Sequence, residues 1–177
     1  QLASRPGVVR LTSSTTANGG YRWTTDLSPW LIKGNEYFEC AIAPVNFSTT
    51  TFRAGLLDNS TSADVTDGIY FEYSTSGAIV LKTASNGTRS TSAAITTLSL
   101  NTWYKLVIII NANASSCSGF VYNGSTGALI GSASITTNIP TGAARWTGAG
   151  IIATESTTTA TAMLDLDYLL FTTILAR

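Results

Sequence analysis

Apolar and polar residues alternate with a period of two along most of the chain, and turn residues bound each alternating segment. EYFECAIAPV (36–45) sets Phe38, Cys40 and Ile42 against Tyr37, Glu39 and Ala41, the side-chain pattern of a strand with two distinct faces. TFRAGLLD (51–58) comes next, followed by the polar loop NSTSADVTDG. GIYFEYS (68–74) and GAIVLKTAS (77–85) flank the turn TSG, where glycine makes a positive φ accessible and predicts a hairpin. TWYKLVIIIN (102–111), CSGFVYN (117–123), GALIGSASIT (127–136), TGAGIIAT (147–154) and AMLDLDYLLFTTI (162–174) complete the series, with ANASS and NGSTG as connections. The pattern predicts about ten strands. No segment has a sustained helical period, although TDLSPWLIKG (25–34) is expected to form one helical turn with Pro29 at its start. A strand apolar on both faces, such as KLVIII, belongs in the middle of a packed pair of sheets, and hydroxyl-rich faces belong in water. The fold class expected is all-β: a two-sheet antiparallel β-sandwich of the jelly-roll kind, one domain over 1–177.

Composition sharpens this picture. The chain has 177 residues, of which 44% are hydrophobic and only 11% charged, against roughly 25% charged in an ordinary globular domain. Serine and threonine fill the difference, as in TTTATA and STSAAITT, which suits a rigid protein of the extracellular type. Ten basic residues balance ten acidic ones without any basic cluster, so nucleic acid is not an expected partner. The apolar run LVIII is far shorter than the ~20 residues of a membrane helix, so no membrane insertion is expected. QLASRPG has neither a signal-peptide pattern nor a starting methionine, so a processed product or a domain cut from a longer protein is expected. Cys40 and Cys117 are the two cysteines, and two buried free thiols are the simplest reading. Without histidine or CxxC spacing a zinc site is not expected.

EYFECAIAPVNFSTTTFRAGLLD, NTWYKLVIIIN and NIPTGAARWTGAGIIATESTTTATAMLDLDYLLF together resemble the concanavalin A-like lectin/glucanase jelly roll. The resemblance is to the branch found in bacteriophage virion proteins: fibre and capsid-decoration domains. It runs from about residue 35 to the end, and LTSSTTANGGYRWTTD matches only the generic opening strand of such folds. The resemblance implies a non-enzymatic structural protein on the virion surface, associated with other virion proteins and with copies of itself, a homotrimer among the options. It also implies adhesion to cell-surface glycans. The alternatives are a secreted carbohydrate-binding module of a glycan-degrading enzyme and, further off, a glycosidase or lyase.

Chemistry enters through MLDLDYLLF (163–171), which puts Asp165 and Asp167 two positions apart and hence on one face of a strand. Enzymes with this jelly roll carry a Glu-x-Asp-x-Glu type run, whose third carboxylate would fall here on Met163 or Leu169. No catalytic residue is therefore assigned, and the pair is expected to be structural. A buried carboxylate needs a partner, and Arg53, ahead of Lys105, is the expected one for Asp165 or Asp167. Asp58, Asp64 and Asp67 form an oxygen-rich loop of a kind that can hold calcium, but simple solvation is the expectation. No metal or other cofactor is assigned. Of Trp23, Trp30, Trp103 and Trp146, Trp103 is expected in the core. Trp146, with Arg145 beside it, and Trp30 are the candidate glycan contacts, since sugar rings stack on exposed aromatic faces.

Overall fold

The structure, a computed structural model, describes residues 7–13, 15–25, 29–47, 49–59, 61, 63–74, 77–156 and 161–173. It is an all-β jelly roll of two antiparallel sheets, with no helix among the described residues. The six-stranded sheet runs β1 (Val9–Thr12), β14 (Met163–Thr172), β4 (Tyr37–Asn46), β10 (Tyr104–Ile110), β11 (Cys117–Asn123), β12 (Leu129–Ile135). The eight-stranded sheet runs β2 (Gly20–Thr24), β13 (Trp146–Glu155), β5 (Thr50–Leu57), β6 (Gly68–Tyr73), β7 (Ala78–Ser85), β8 (Thr88–Thr91). Its two short additions are β3 (Trp30–Leu31) on β13 and β9 (Thr96–Thr97) on β7.

The alternation read from the sequence is what fills the space between the sheets. Phe38, Cys40 and Ile42 of β4 and Leu106, Ile108 and Ile110 of β10 face Phe52, Ala54 and Leu56 of β5 and Ile69 and Phe71 of β6. As expected, Trp103 is buried and β10 is an interior strand. β6 and β7 pair as the predicted hairpin strands, with the Gly77 amide donating to Ser74 O at 2.9 Å and φ of +81° at Gly77; residues 75 and 76 of the turn lie outside the described residues.

Two expectations need revision. Described residues 29–34 form no helical turn: Trp30 and Leu31 pair as β3 with Thr147 and Trp146 of β13. Residues 26–28 of that predicted turn, and 174 of the last predicted strand, lie outside the described residues. The pattern also passed over β8, whose hairpin is made by Asn86 (φ +52°) and Gly87 (φ +78°), the asparagine–glycine signal of a tight turn.

Cys40 and Cys117 are free and buried, as expected. They sit on β4 and β11 with β10 between them, so two strand spacings, about 9.5 Å, already exceed the ~7 Å Cα reach of a disulfide. Burial pushes both thiols up, Cys117 to about 12, so neither is a thiolate at neutral pH.

Gly119 shows how closely the sheets meet. A Cβ there would lie 2.9 Å from Cε1 and Cζ of Phe71 and 3.0 Å from Cδ1 of Leu81. Phe71 and Leu81 are fully buried, so neither ring nor methyl has room to retreat. Gly119→Val is expected to cost about 1–3 kcal/mol by overpacking. In a chain of this size that lowers the melting temperature by roughly 2–4 °C per kcal/mol, read by calorimetry; an unchanged melting temperature would show that the sheets are not in contact there.

Candidate functional site

The two aspartates of β14 do different things because the strand is bulged between them. Leu166 pairs with Ile42 and Tyr168 with Ala41, so the register skips Asp167. Leu164 and Leu166 point into the core before the bulge, and Leu169 and Phe171 pack against it afterwards. One extra residue thus inverts the inward parity of the strand. Asp165 lies directly opposite Arg10 of β1 and takes a two-pronged ion pair from it: Nε to Oδ1 at 2.7 Å and Nη2 to Oδ2 at 2.8 Å. Its side chain is 8% exposed. The expected arginine is therefore present, but it is Arg10 and not Arg53. Lys105 is also elsewhere, 3.8 Å from Glu39 and 4.9 Å above the Tyr122 ring.

Asp167 opens instead onto a cleft of about 300 Å³ at the edge where the two sheets meet. Trp23 of β2 and Val9 of β1 line it with Thr25, Tyr168 and Leu169. Trp23 is 47% exposed, and the Tyr168 hydroxyl is fixed by donation to Glu39, which also accepts from Tyr37. The cleft thus has a flat indole and a carboxylate in its lining, and the Thr25 hydroxyl beside them donates to the Ala149 carbonyl at 3.2 Å. The sequence singled out Asp167 as a structural carboxylate and not as part of a cleft. Trp23 did not stand out there, because it shares the parity of Tyr21, which packs against the core, and yet is itself 47% exposed.

Arg53 belongs to the outer face of the eight-stranded sheet. It is 8% exposed, bonds Glu72 through Nε at 2.9 Å, and lies 3.3 Å from Asp64. Lys82 bonds Glu72 at 2.9 Å, and Arg89 bonds Asp64 at 2.9 Å. The loop carrying Asp64 is fastened by Val65, which is fully buried with Leu57, Tyr70, Ala84 and Ile152. Asp58 accepts the amides of Thr66 and Asp67 at 3.1 and 2.9 Å. Asp67 accepts the Asn86 amide at 2.7 Å and pairs with Arg145 at 3.2 Å. Each of the three loop carboxylates thus has a protein donor, and the described residues contain no group of three or more His, Cys, Asp or Glu placed to hold a metal ion.

The predicted glycan contacts are neighbours but form no single aromatic surface: Trp146 is paired with Leu31 and Trp30 with Thr147, so the two indoles alternate to opposite sides of the paired strands. Trp146 is 46% exposed, at the start of β13. Its neighbour Arg145 is tied to Asp67, and the half-buried Trp30 packs on Phe171 with ring centroids 4.7 Å apart. A second cleft, of about 360 Å³, lies further along β13, between Arg22, Asn18, Thr61, Ile152 and Thr154.

These ion pairs give two expected outcomes. Removing Arg10 alone leaves Asp165 buried without its cation, whereas removing both charges does not. Arg10→Ala should therefore lower the melting temperature more than Arg10→Ala combined with Asp165→Asn, and an equal loss would show that the pair is idle. For Asp64, burial alone would raise the carboxyl, but Lys82, Arg53 and Arg89 together bring it below the ordinary aspartate range. A depressed folded-state pKa contributes stability above the unfolded value, near 3.9, that is lost as pH falls through the folded one. The stability gap between the native chain and Asp64→Asn should hold above about pH 5 and close below it; a gap that widens in acid would contradict this.

The "SO2946-like, C-terminal domain" family matches residues 4–167. Among solved structures, the chain is similar to the protein of unknown function SO2946 from Shewanella oneidensis MR-1. The TM-score is 0.73 at 17% identity, over 93% of this chain and 68% of that one. It is also similar to a legume lectin-like domain from Entamoeba histolytica, with a TM-score of 0.64 at 10% identity, over 95% of this chain and 84% of that one. A Bacillus licheniformis beta-glucanase follows, with a TM-score of 0.56 at 14% identity, over 95% and 79%. The sequence matches no curated protein. At such identities the likeness is one of fold, the concanavalin A-like lectin/glucanase jelly roll. With the family match spanning nearly all of the described sandwich, the chain belongs to the SO2946-like C-terminal domain family.

Proposed function

We propose that the chain is a glycan-binding surface domain that holds sugar without cleaving it, with Trp23 and Asp167 at the centre of its site. The observation that carries this reading is the edge cleft, in which the exposed indole of Trp23 and the Asp167 carboxylate line one space of about 300 Å³. A sugar ring has an apolar C–H face and a rim of hydroxyls. The indole accommodates the first by stacking, and a carboxylate accepts hydrogen bonds from two neighbouring hydroxyls of the second. The cleft is at the small end of ligand sites, which suits a terminal sugar better than a long chain.

Hydrolysis needs two carboxylates flanking one glycosidic bond, about 5–9.5 Å apart and differing in protonation. Asp165, the nearest acid along the strand, is held by Arg10. Glu72 and Asp64 lie on the outer face of the eight-stranded sheet, ion-paired with Arg53, Lys82 and Arg89. This supports binding over catalysis, and the lectin-like and glucanase neighbours share the fold that either activity would use.

The carrier we propose is a bacteriophage particle, with the domain decorating the capsid or tipping a fibre. Copies of itself and other virion proteins would be its partners. The residue likeness described above and the low-charge, hydroxyl-rich surface support this reading. Many copies would convert weak single contacts into firm attachment.

The test is a glycan array followed by calorimetry on the best ligand. Trp23→Ala and Asp167→Asn should each weaken binding about tenfold or more, roughly 1.4 kcal/mol, while melting temperatures stay close to the parent's and no reducing ends appear. Undiminished binding in both variants, or release of reducing sugar by the parent chain, would overturn the proposal.

A further inference from the structure

Three cations and a phenol converge on one carboxylate on the outer face of the eight-stranded sheet. Asp64 lies 2.9 Å from Arg89 Nε, 3.3 Å from Arg53 Nη2 and 3.7 Å from Lys82 Nζ. The Tyr70 hydroxyl donates to the same carboxylate at 3.1 Å. Those four groups come from β5, β6, β7 and β8, four consecutive neighbours in the sheet, while Asp64 comes from the loop after β5. The sheet therefore supplies the receptor and the loop supplies the occupant.

The receptor is held in place without its occupant. Arg53 is anchored by Glu72 at 2.9 Å and by the carbonyl of Ala63 at 3.1 Å. Lys82 is anchored by Glu72 at 2.9 Å, and Arg89 donates to the carbonyls of Val65 and Gly87, each at 3.0 Å. Glu72 answers one of the three positive charges, so with Asp64 gone the cluster carries a surplus of two. Asp64 and Arg89 are the exposed members of the set, at 36% and 33%, against 8% for Arg53 and 12% for Lys82. Rotation about the side-chain bonds of Asp64 can carry it into solvent while Val65, fully buried, keeps the loop seated.

The surroundings suit a saccharide. Arg22, Ile152 and Arg53 lie side by side in the register of β2, β13 and β5. The cleft of about 360 Å³ lined by Arg22, Asn18, Thr61, Ile152 and Thr154 therefore lies beside the cationic cluster, with the buried Ile152 between Arg22 and Arg53. Its amide, hydroxyl and guanidinium groups match sugar hydroxyls, and the cluster matches a carboxylate.

We propose that this cluster is a second binding site, separate from the Trp23 cleft and independent of it, for a sugar bearing a carboxylate of the uronic acid class. Asp64 occupies the carboxylate position when no ligand is bound. An acidic sugar then competes with a tethered group of its own chemistry, which keeps affinity low until Asp64 is displaced or removed.

The experiment is calorimetry with an oligogalacturonate and a neutral oligogalactan of equal length as probes. It uses the parent chain, Asp64→Ala, Asp64→Asn, Trp23→Ala, and Asp64→Ala combined with Arg89→Ala. Far-UV circular dichroism and a cooperative melt establish that each variant is folded, and Asp64→Asn, which keeps the shape of the side chain, stands in if Asp64→Ala does not fold. The acidic probe should bind at least tenfold more tightly once Asp64 is neutralised. That gain should vanish with Arg89→Ala, fall with added salt, and persist in Trp23→Ala; the neutral probe should show no such gain. A folded Asp64 variant that binds the acidic probe no better than the parent, or that gains equally for both probes, would overturn the second site. Loss of neutral-sugar binding in Trp23→Ala speaks only to the first.

Discussion

Every second side chain on the central strands must leave water, and the rest of the molecule depends on that constraint. The inward set, from Phe38 and Ile108 on one sheet to Phe52 and Phe71 on the other, forms one continuous core. It sits so close that Gly119 leaves no room for a methyl group against Phe71. Once the inward set is chosen, the outward set follows by parity. Arg53, Glu72, Tyr70 and Lys82 then fall on one outer face, and Tyr37, Glu39 and Lys105 on the other. Chemistry is confined to those faces and to the edges where the sheets part.

Charge is scarce here, at 11% of residues, and much of it is gathered rather than spread. Arg53, Lys82 and Arg89 come from strands, while Asp64 and Asp67 come from a loop. A cation on a strand is positioned by the sheet, whereas a loop acid is positioned largely by what it pairs with. This asymmetry makes a carboxylate receptor a natural product of the fold. It also separates this face from a hydrolytic one, which would need carboxylates left facing the substrate with their charges unanswered. The edge cleft has a different character, with the Asp167 carboxylate and the exposed Trp23 indole in its lining.

The alternation in EYFECAIAPV and GIYFEYS revealed the sheets because both faces of those strands differ in polarity. KLVIII was legible as an interior strand from its lack of such a difference. TRST and TT, which became β8 and β9, carry no apolar partner to set against their hydroxyls, so only the asparagine–glycine turn at 86–87 could have located the first of them. The short strand at Trp30–Leu31 was hidden behind Pro29, whose helix-start preference competes with pairing to β13. The need for an arginine at Asp165 followed from burial alone, but its identity did not. Arg10 and Asp165 are 155 residues apart in sequence, and only the strand order brings them opposite each other. Nor could periodicity locate the bulge at Asp167, which breaks the period itself. Asp167 was thus visible as a residue but not as part of a cleft with Trp23.

The most direct measurement is a two-dimensional amide and indole NMR titration of the ¹⁵N-labelled chain with its best array ligand. Binding at the edge cleft predicts that the Trp23 indole N–H and the amides around Asp167 and Tyr168 shift progressively while the ligand's own spectrum shows no cleavage. Shifts that spare Trp23 and gather elsewhere, or new anomeric signals from freed reducing ends, would contradict a non-hydrolytic sugar site built on Trp23 and Asp167.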